Sequence, residues 1–158
     1  MVMRKWSKLL FLATLLVVIS SCTVAPITGR KQLSLVTEES VAAEAAIFYK
    51  EFINEAASKG ALATNTAEGQ RLRRIGNNMK TSVEQYLREN GMTKKLSTLD
   101  WEFNLIRSDT MNAFSTAGGK VAFYTGILPV LKNDAGIAYV MGHEIGHVIG
   151  GHHAESSS

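Results

Sequence analysis

All four histidines of the sequence lie between positions 143 and 153. Two of them frame the run His143-Glu144-Ile145-Gly146-His147, an H-E-x-x-H pattern. On a helix, residues four apart share one face, a turn from each other. Two imidazole nitrogens so placed can reach one Zn²⁺ at about 2.0–2.1 Å each. Glu144 is adjacent but rotated, so it can touch a zinc-bound water without occupying the metal. Zinc lowers the pKa of such a water toward about 7. Glu144 would take the water's proton, the hydroxide would attack a peptide carbonyl, and Glu144 would return the proton to the leaving amine. The expected cofactor is therefore Zn²⁺, with His143 and His147 as metal ligands and Glu144 as the catalytic base of a zinc-dependent endopeptidase.

The surrounding segment must be a helix for this to work. Asn133 or Asp134 is suited to cap it, and the pattern runs to about Gly150. Between positions 135 and 150 the sole carboxylate is Glu144, and there is no Lys or Arg. A helix this apolar is expected to be buried. A buried carboxylate without a partner is costly, so Glu144 needs one. Gly136, Gly142, Gly146 and Gly150 each cost about 0.8–1 kcal/mol against alanine. Close packing of a strand, of a substrate, or of the core alone would offset that.

Upstream, two helices read as scaffold. Thr37 is a suitable cap, with Glu38 and Glu39 in the first turn where the dipole favours them. Val41, Ala45, Phe48, Phe52 and Ala56 then recur at helical spacing, and Gly60 ends the segment. A second helix starts near Thr66, with Leu72, Ile75, Met79, Val83 and Tyr86 as its apolar stripe. Arg71, Arg73, Arg74 and Lys80 form its solvated face, and Asn90-Gly91 closes it. The period then changes. Leu99, Trp101, Phe103 and Leu105 alternate with polar residues, as in a half-buried strand. Residues 111–116 and 120–124 predict two more strands, with Gly118-Gly119 as a hairpin turn. The expected fold is α+β and zincin-like. Helices pack on a small antiparallel sheet, with the H-E-x-x-H helix against it, as the N-terminal part of a catalytic domain.

The first 21 residues carry Arg4, Lys5 and Lys8 and no acid, then an apolar stretch from Leu9 to Ile19. That is the layout of an export signal, too short for a membrane-spanning helix of about 20 residues. Outside it, basic and acidic residues balance at 14 each. Nothing there favours nucleic acid as a partner. Cys22 is the sole cysteine, which excludes an internal disulfide. The quartet Ile19-Ser20-Ser21-Cys22 resembles the bacterial lipobox, which implies lipidation of Cys22. The expected domains are a lipoprotein signal peptide over 1–21, a tether over 22–36 and a metallopeptidase domain over 37–158.

Asn112-Ala113-Phe114, Gly118-Gly119-Lys120, Tyr124-Thr125-Gly126-Ile127-Leu128, Asn133-Asp134-Ala135-Gly136 and the H-E-x-x-H run follow in that order. Together they resemble the gluzincin metallopeptidases of the HtpX and CAAX prenyl endopeptidase family, in its periplasmic lipoprotein branch. Pro26-Ile27-Thr28-Gly29-Arg30-Lys31-Gln32 resembles the start of that branch. The resemblance implies proteolysis of misfolded or misassembled cell-envelope proteins, as substrates and partners. It implies a lipid-anchored place in the bacterial cell envelope, on the periplasmic face of the outer membrane. It also implies that the strand over 111–116 edges the cleft, with Asn112 and Ala113 binding substrate.

The family takes its third zinc ligand from a glutamate on a later helix, and no such helix follows His147 here. His143 to His153 also fits H-E-x-x-H-x-x-G-x-x-H, in which a break at Gly150-Gly151 would bring His153 to the metal. The alternative function is a catalytically incomplete, lipid-anchored peptide-binding or chaperone-like module. It would keep the edge strand and lack the chemistry.

Overall fold

The computed structural model describes residues 22–24, 31–33 and 37–151. The expected signal peptide, together with His152 and His153, lies outside the described residues. Two short strands, β1 (Cys22–Val24) and β2 (Lys31–Leu33), pair antiparallel with Cys22 opposite Leu33. The expected tether therefore contains a two-stranded ribbon, and Cys22 is its first residue.

Helix α1 (Glu38–Ser58) begins where Thr37 Oγ1 accepts the Ser40 N–H at 3.2 Å. Its buried residues are Val41, Tyr49 and Ala56. Phe48, expected in the core, is 57% exposed. Both Phe48 and Tyr49 are compatible with a helical repeat, and the helix is rotated so that Tyr49 faces inward. Helix α2 (Ala67–Glu89) is capped by Thr66, whose hydroxyl accepts the Gly69 N–H. Leu72, Ile75 and Leu87 are buried, whereas Tyr86, expected on the stripe, is 48% exposed. Its place at the helix end is taken by Leu87. Asn90 is the C-cap and Gly91 has φ 69°, so the helix closes where its sequence indicates. A short helix not foreseen from the sequence, α3 (Thr93–Ser97), then leads into the sheet.

The sheet holds β3 (Glu102–Ile106), β4 (Ala113–Thr116) and β5 (Lys120–Tyr124) in the order β3-β5-β4. The β4–β5 hairpin is antiparallel, and Gly118 and Gly119 take φ of 84° and 89° in its turn. β3 and β5, however, run parallel, with Phe103 opposite Val121 and Leu105 opposite Phe123. This corrects the expected antiparallel sheet. The physical reason is the connection from β3 to β4 over residues 107–112. It passes across the end of β5, so the hairpin returns between the two strands. Gly126 N–H donates to the Ser108 carbonyl at 2.8 Å and Tyr124 N–H to that of Asn112 at 3.1 Å, which pins the crossing in place. Alternating hydrophobicity marks strands but carries no information about which neighbour each will choose.

Period-two alternation then sorts the side chains into two layers. Phe103, Leu105, Ala113, Val121 and Phe123 join the main core with residues of α2. The other face meets α1. Tyr49 and Phe52 pack on Phe114, with ring centroids at 6.4 and 5.3 Å. After β5, a 3₁₀ turn (Thr125–Ile127) and a one-turn helix α4 (Leu128–Leu131) containing Pro129 lead to the last helix, α5 (Asp134–Gly150). Among the described residues no helix is long and apolar enough to cross a membrane.

Candidate metal centre

Helix α5 carries His143, Glu144 and His147 together. Asn133 is the cap, and its Oδ1 accepts the Gly136 N–H at 3.0 Å. Gly136 is required by packing, because a Cβ there would collide with the Leu131 carbonyl oxygen. The helix ends at Gly151, whose φ of 74° lets its N–H return to the His147 carbonyl. Asp134, in the first turn, accepts hydrogen bonds from Arg71 and Arg74 of α2. These contacts set both the start and the axis of α5 against the core.

One side of α5 is buried through Ile137, Met141, Ile145, Val148 and Ile149. The opposite side is open, which corrects the expectation that so apolar a helix is buried. Tyr139 is 81% exposed, His143 is exposed, and a Cβ on Gly146 would meet nothing within 4 Å. The two histidine rings stand at 86° to each other with centroids 4.5 Å apart. Their Nε2 atoms are 3.0 Å apart. Two nitrogens at that separation can both lie about 2.0–2.1 Å from one ion, so the pair fits a zinc ion as two of its ligands. Among the described residues no group of three or more His, Cys, Asp and Glu gathers around one point. His153 lies outside those residues.

Glu144 is half-buried and has the partner its position demands. Ser115 of β4 places its hydroxyl 3.0 Å from Glu144 Oε2 and 3.1 Å from the Glu144 carbonyl oxygen. Ser115 is a site residue that sequence reasoning passed over. Its signal was a polar residue at an inward position of a strand, opposite Val121 and two residues from Ala113. Of the two residues expected to bind substrate, Ala113 opens β4 and is buried toward α5, while Asn112 is exposed just before it. β4 is an edge strand, hydrogen-bonded only to β5 among the described strands. The geometry thus brings His143, Glu144 and His147 onto one helix and sets β4 beside them through Ser115.

Comparison with known proteins gives the family of the chain. The model of peptidase family M48 matches residues 74–158, from α2 through α5, and the chain belongs to that family. It is 47% identical over 60 residues to the mitochondrial metalloendopeptidase OMA1 of Schizosaccharomyces pombe, covering 38% of this chain and 18% of that protein. It is 26% identical over 134 residues to the mitochondrial metalloendopeptidase OMA1 of Homo sapiens, covering 85% of this chain and 24% of the other. The Danio rerio protein of the same name is 27% identical over 152 residues, covering 92% and 30%. The chain thus spans less than a third of the length of these relatives. Their mitochondrial naming overturns the expected lipid-anchored location in a bacterial cell envelope.

Proposed function

We propose that this chain is the histidine-bearing part of a zinc-dependent endopeptidase acting on extended segments of unfolded or misassembled proteins. The observation that carries the reading is the 3.0 Å approach of His143 Nε2 and His147 Nε2, with the Glu144 carboxylate held one residue away. His143 and His147 would hold the ion. When bound, zinc supplies a water of lowered pKa and polarises the scissile carbonyl. Glu144 accepts a proton from the attacking water through its carboxylate. It then delivers that proton to the nitrogen of the breaking peptide bond. β4 offers its outer backbone edge to an extended peptide, which is held by main-chain hydrogen bonds that read little sequence. Asn112 and Ala113, at the start of that strand, would meet the peptide first.

The test is Glu144→Gln, which keeps the shape of the side chain and removes the base. Hydrolysis of unfolded casein by the zinc-loaded chain should fall by roughly a hundred-fold or more, while zinc retention is unchanged. Unaltered hydrolysis would remove Glu144 from the mechanism. A second reading, a peptide-binding module without hydrolysis, is favoured by the two-ligand set among the described residues. Casein binding without cleavage, in both wild type and variant, would select it.

A further inference from the structure

We infer that Ser115 is a positioning residue that fixes the orientation of the Glu144 carboxylate and ties it to the edge strand β4. The inference rests on the peptidase reading above. Ser115 is 8% exposed and faces α5 from a strand position whose neighbours on that face are Ala113, Val121 and Phe123. A hydroxyl in such surroundings needs a partner, since an unpaired one costs free energy on burial. One partner across the layer is the Glu144 side chain, at 3.0 Å. The Glu144 carbonyl is also near, at 3.1 Å, but it is already an acceptor in the helix ladder. A hydroxyl has one proton, and a carboxylate is the stronger acceptor. Engaging Oε2 would leave Oε1 as the oxygen that takes the proton.

The arrangement has a second effect. β4 is an edge strand among the described strands, the one that would receive a peptide, and Ser115 lies within it. A shift of that strand is passed directly to the base. Peptide binding and base orientation would thus be joined through this side chain, in addition to the packing of β4 on α5.

The experiment compares Ser115→Ala, Ser115→Thr, Glu144→Gln and Ser115→Ala/Glu144→Gln in the full chain, with casein hydrolysis, zinc affinity and melting temperature as readouts. Ser115→Ala should lower kcat by roughly ten- to a hundred-fold, as misplacement of a reacting group does. KM and zinc affinity should stay within about two-fold of wild type. Ser115→Thr, which keeps the hydroxyl and suits a strand, should restore most of the rate. In the Glu144→Gln background the serine change should cost nothing further. A full rate in Ser115→Ala, or an equal loss in Ser115→Thr, would overturn the inference. Should Glu144→Gln itself hydrolyse normally, the peptidase reading fails first. The contact is then judged on melting alone, with Glu144→Ala as the partner change. A hydrogen-bonded pair gives melting shifts that fall short of additivity by about 4 °C. Additive shifts would mean that the two side chains do not interact.

Discussion

Tyr49 ties α1 to the sheet with a single atom. Its hydroxyl donates to the Val121 carbonyl at 2.8 Å and accepts from Asn104 Nδ2 at 3.3 Å. Asn104 in turn accepts from the Thr64 hydroxyl at 2.7 Å and donates to Glu102 Oε1 at 2.6 Å, so the chain of bonds runs from the core to a half-exposed carboxylate. Burial pushes the Tyr49 phenol well above its ordinary value. Because the folded state holds the proton more tightly, this stabilisation is complete below about pH 10 and is lost as the pH rises beyond it. Tyr49→Phe should cost about 1–2 kcal/mol at pH 7, read as a lower midpoint in urea. No change would show the hydroxyl to be dispensable. Residues of this kind were not legible in the sequence, because Tyr49 and Val121 are 72 positions apart and Ser115 and Glu144 are 29 apart. The placing of His143, Glu144 and His147 together on one helix was legible, because it depends on spacing within about a turn of that helix.

Helix α5 is set by its ends. At its start the Asp134 carboxylate meets both Arg71 and Arg74, the latter at 3.1 Å, and also lies where the helix dipole favours negative charge. The hydrogen bond from Arg71 above all holds that carboxyl below the ordinary carboxylate range. A depressed value stabilises the fold above the unfolded pKa of about 3.9, and the benefit disappears as the pH falls through the folded value. Asp134→Asn should therefore melt below wild type at pH 7, by no more than about 2 °C because the pair is exposed. The gap should close in acid, below the ordinary carboxylate range. A gap that persists there would point to the arginines acting through something other than this charge. Caps and helix ends at Thr37, Thr66, Asn133 and Gly91 were all readable, since each depends on neighbours within four residues. The direction of β3 relative to β5 was not. It depends on how the six residues from 107 to 112 travel, and their composition does not reveal that route.

Ion binding at the His143–His147 pair would be coupled to folding across the whole molecule. A ligand that binds only the folded chain stabilises it by about 2.7 kcal/mol at a hundred-fold excess over Kd. Zinc at that excess should raise the melting temperature by roughly 5–10 °C for a chain of this size. His143→Ala should abolish most of the rise, and a rise of equal size in that variant would place the ion elsewhere. The α+β class, the order of the three long helices and the hairpin were legible at this scale. The cellular address was not, because a short apolar leader and one cysteine say nothing about the compartment in which relatives named as mitochondrial work. The layering of α1 over the far face of the sheet also has a consequence during synthesis. Chains leave the ribosome at about 5–20 residues per second. Tyr49 thus emerges roughly 4–15 seconds before the Val121 carbonyl that will receive its hydrogen bond. For that interval α1 is a nascent helix whose apolar side has no sheet to cover, at the stage when chaperones meet growing chains.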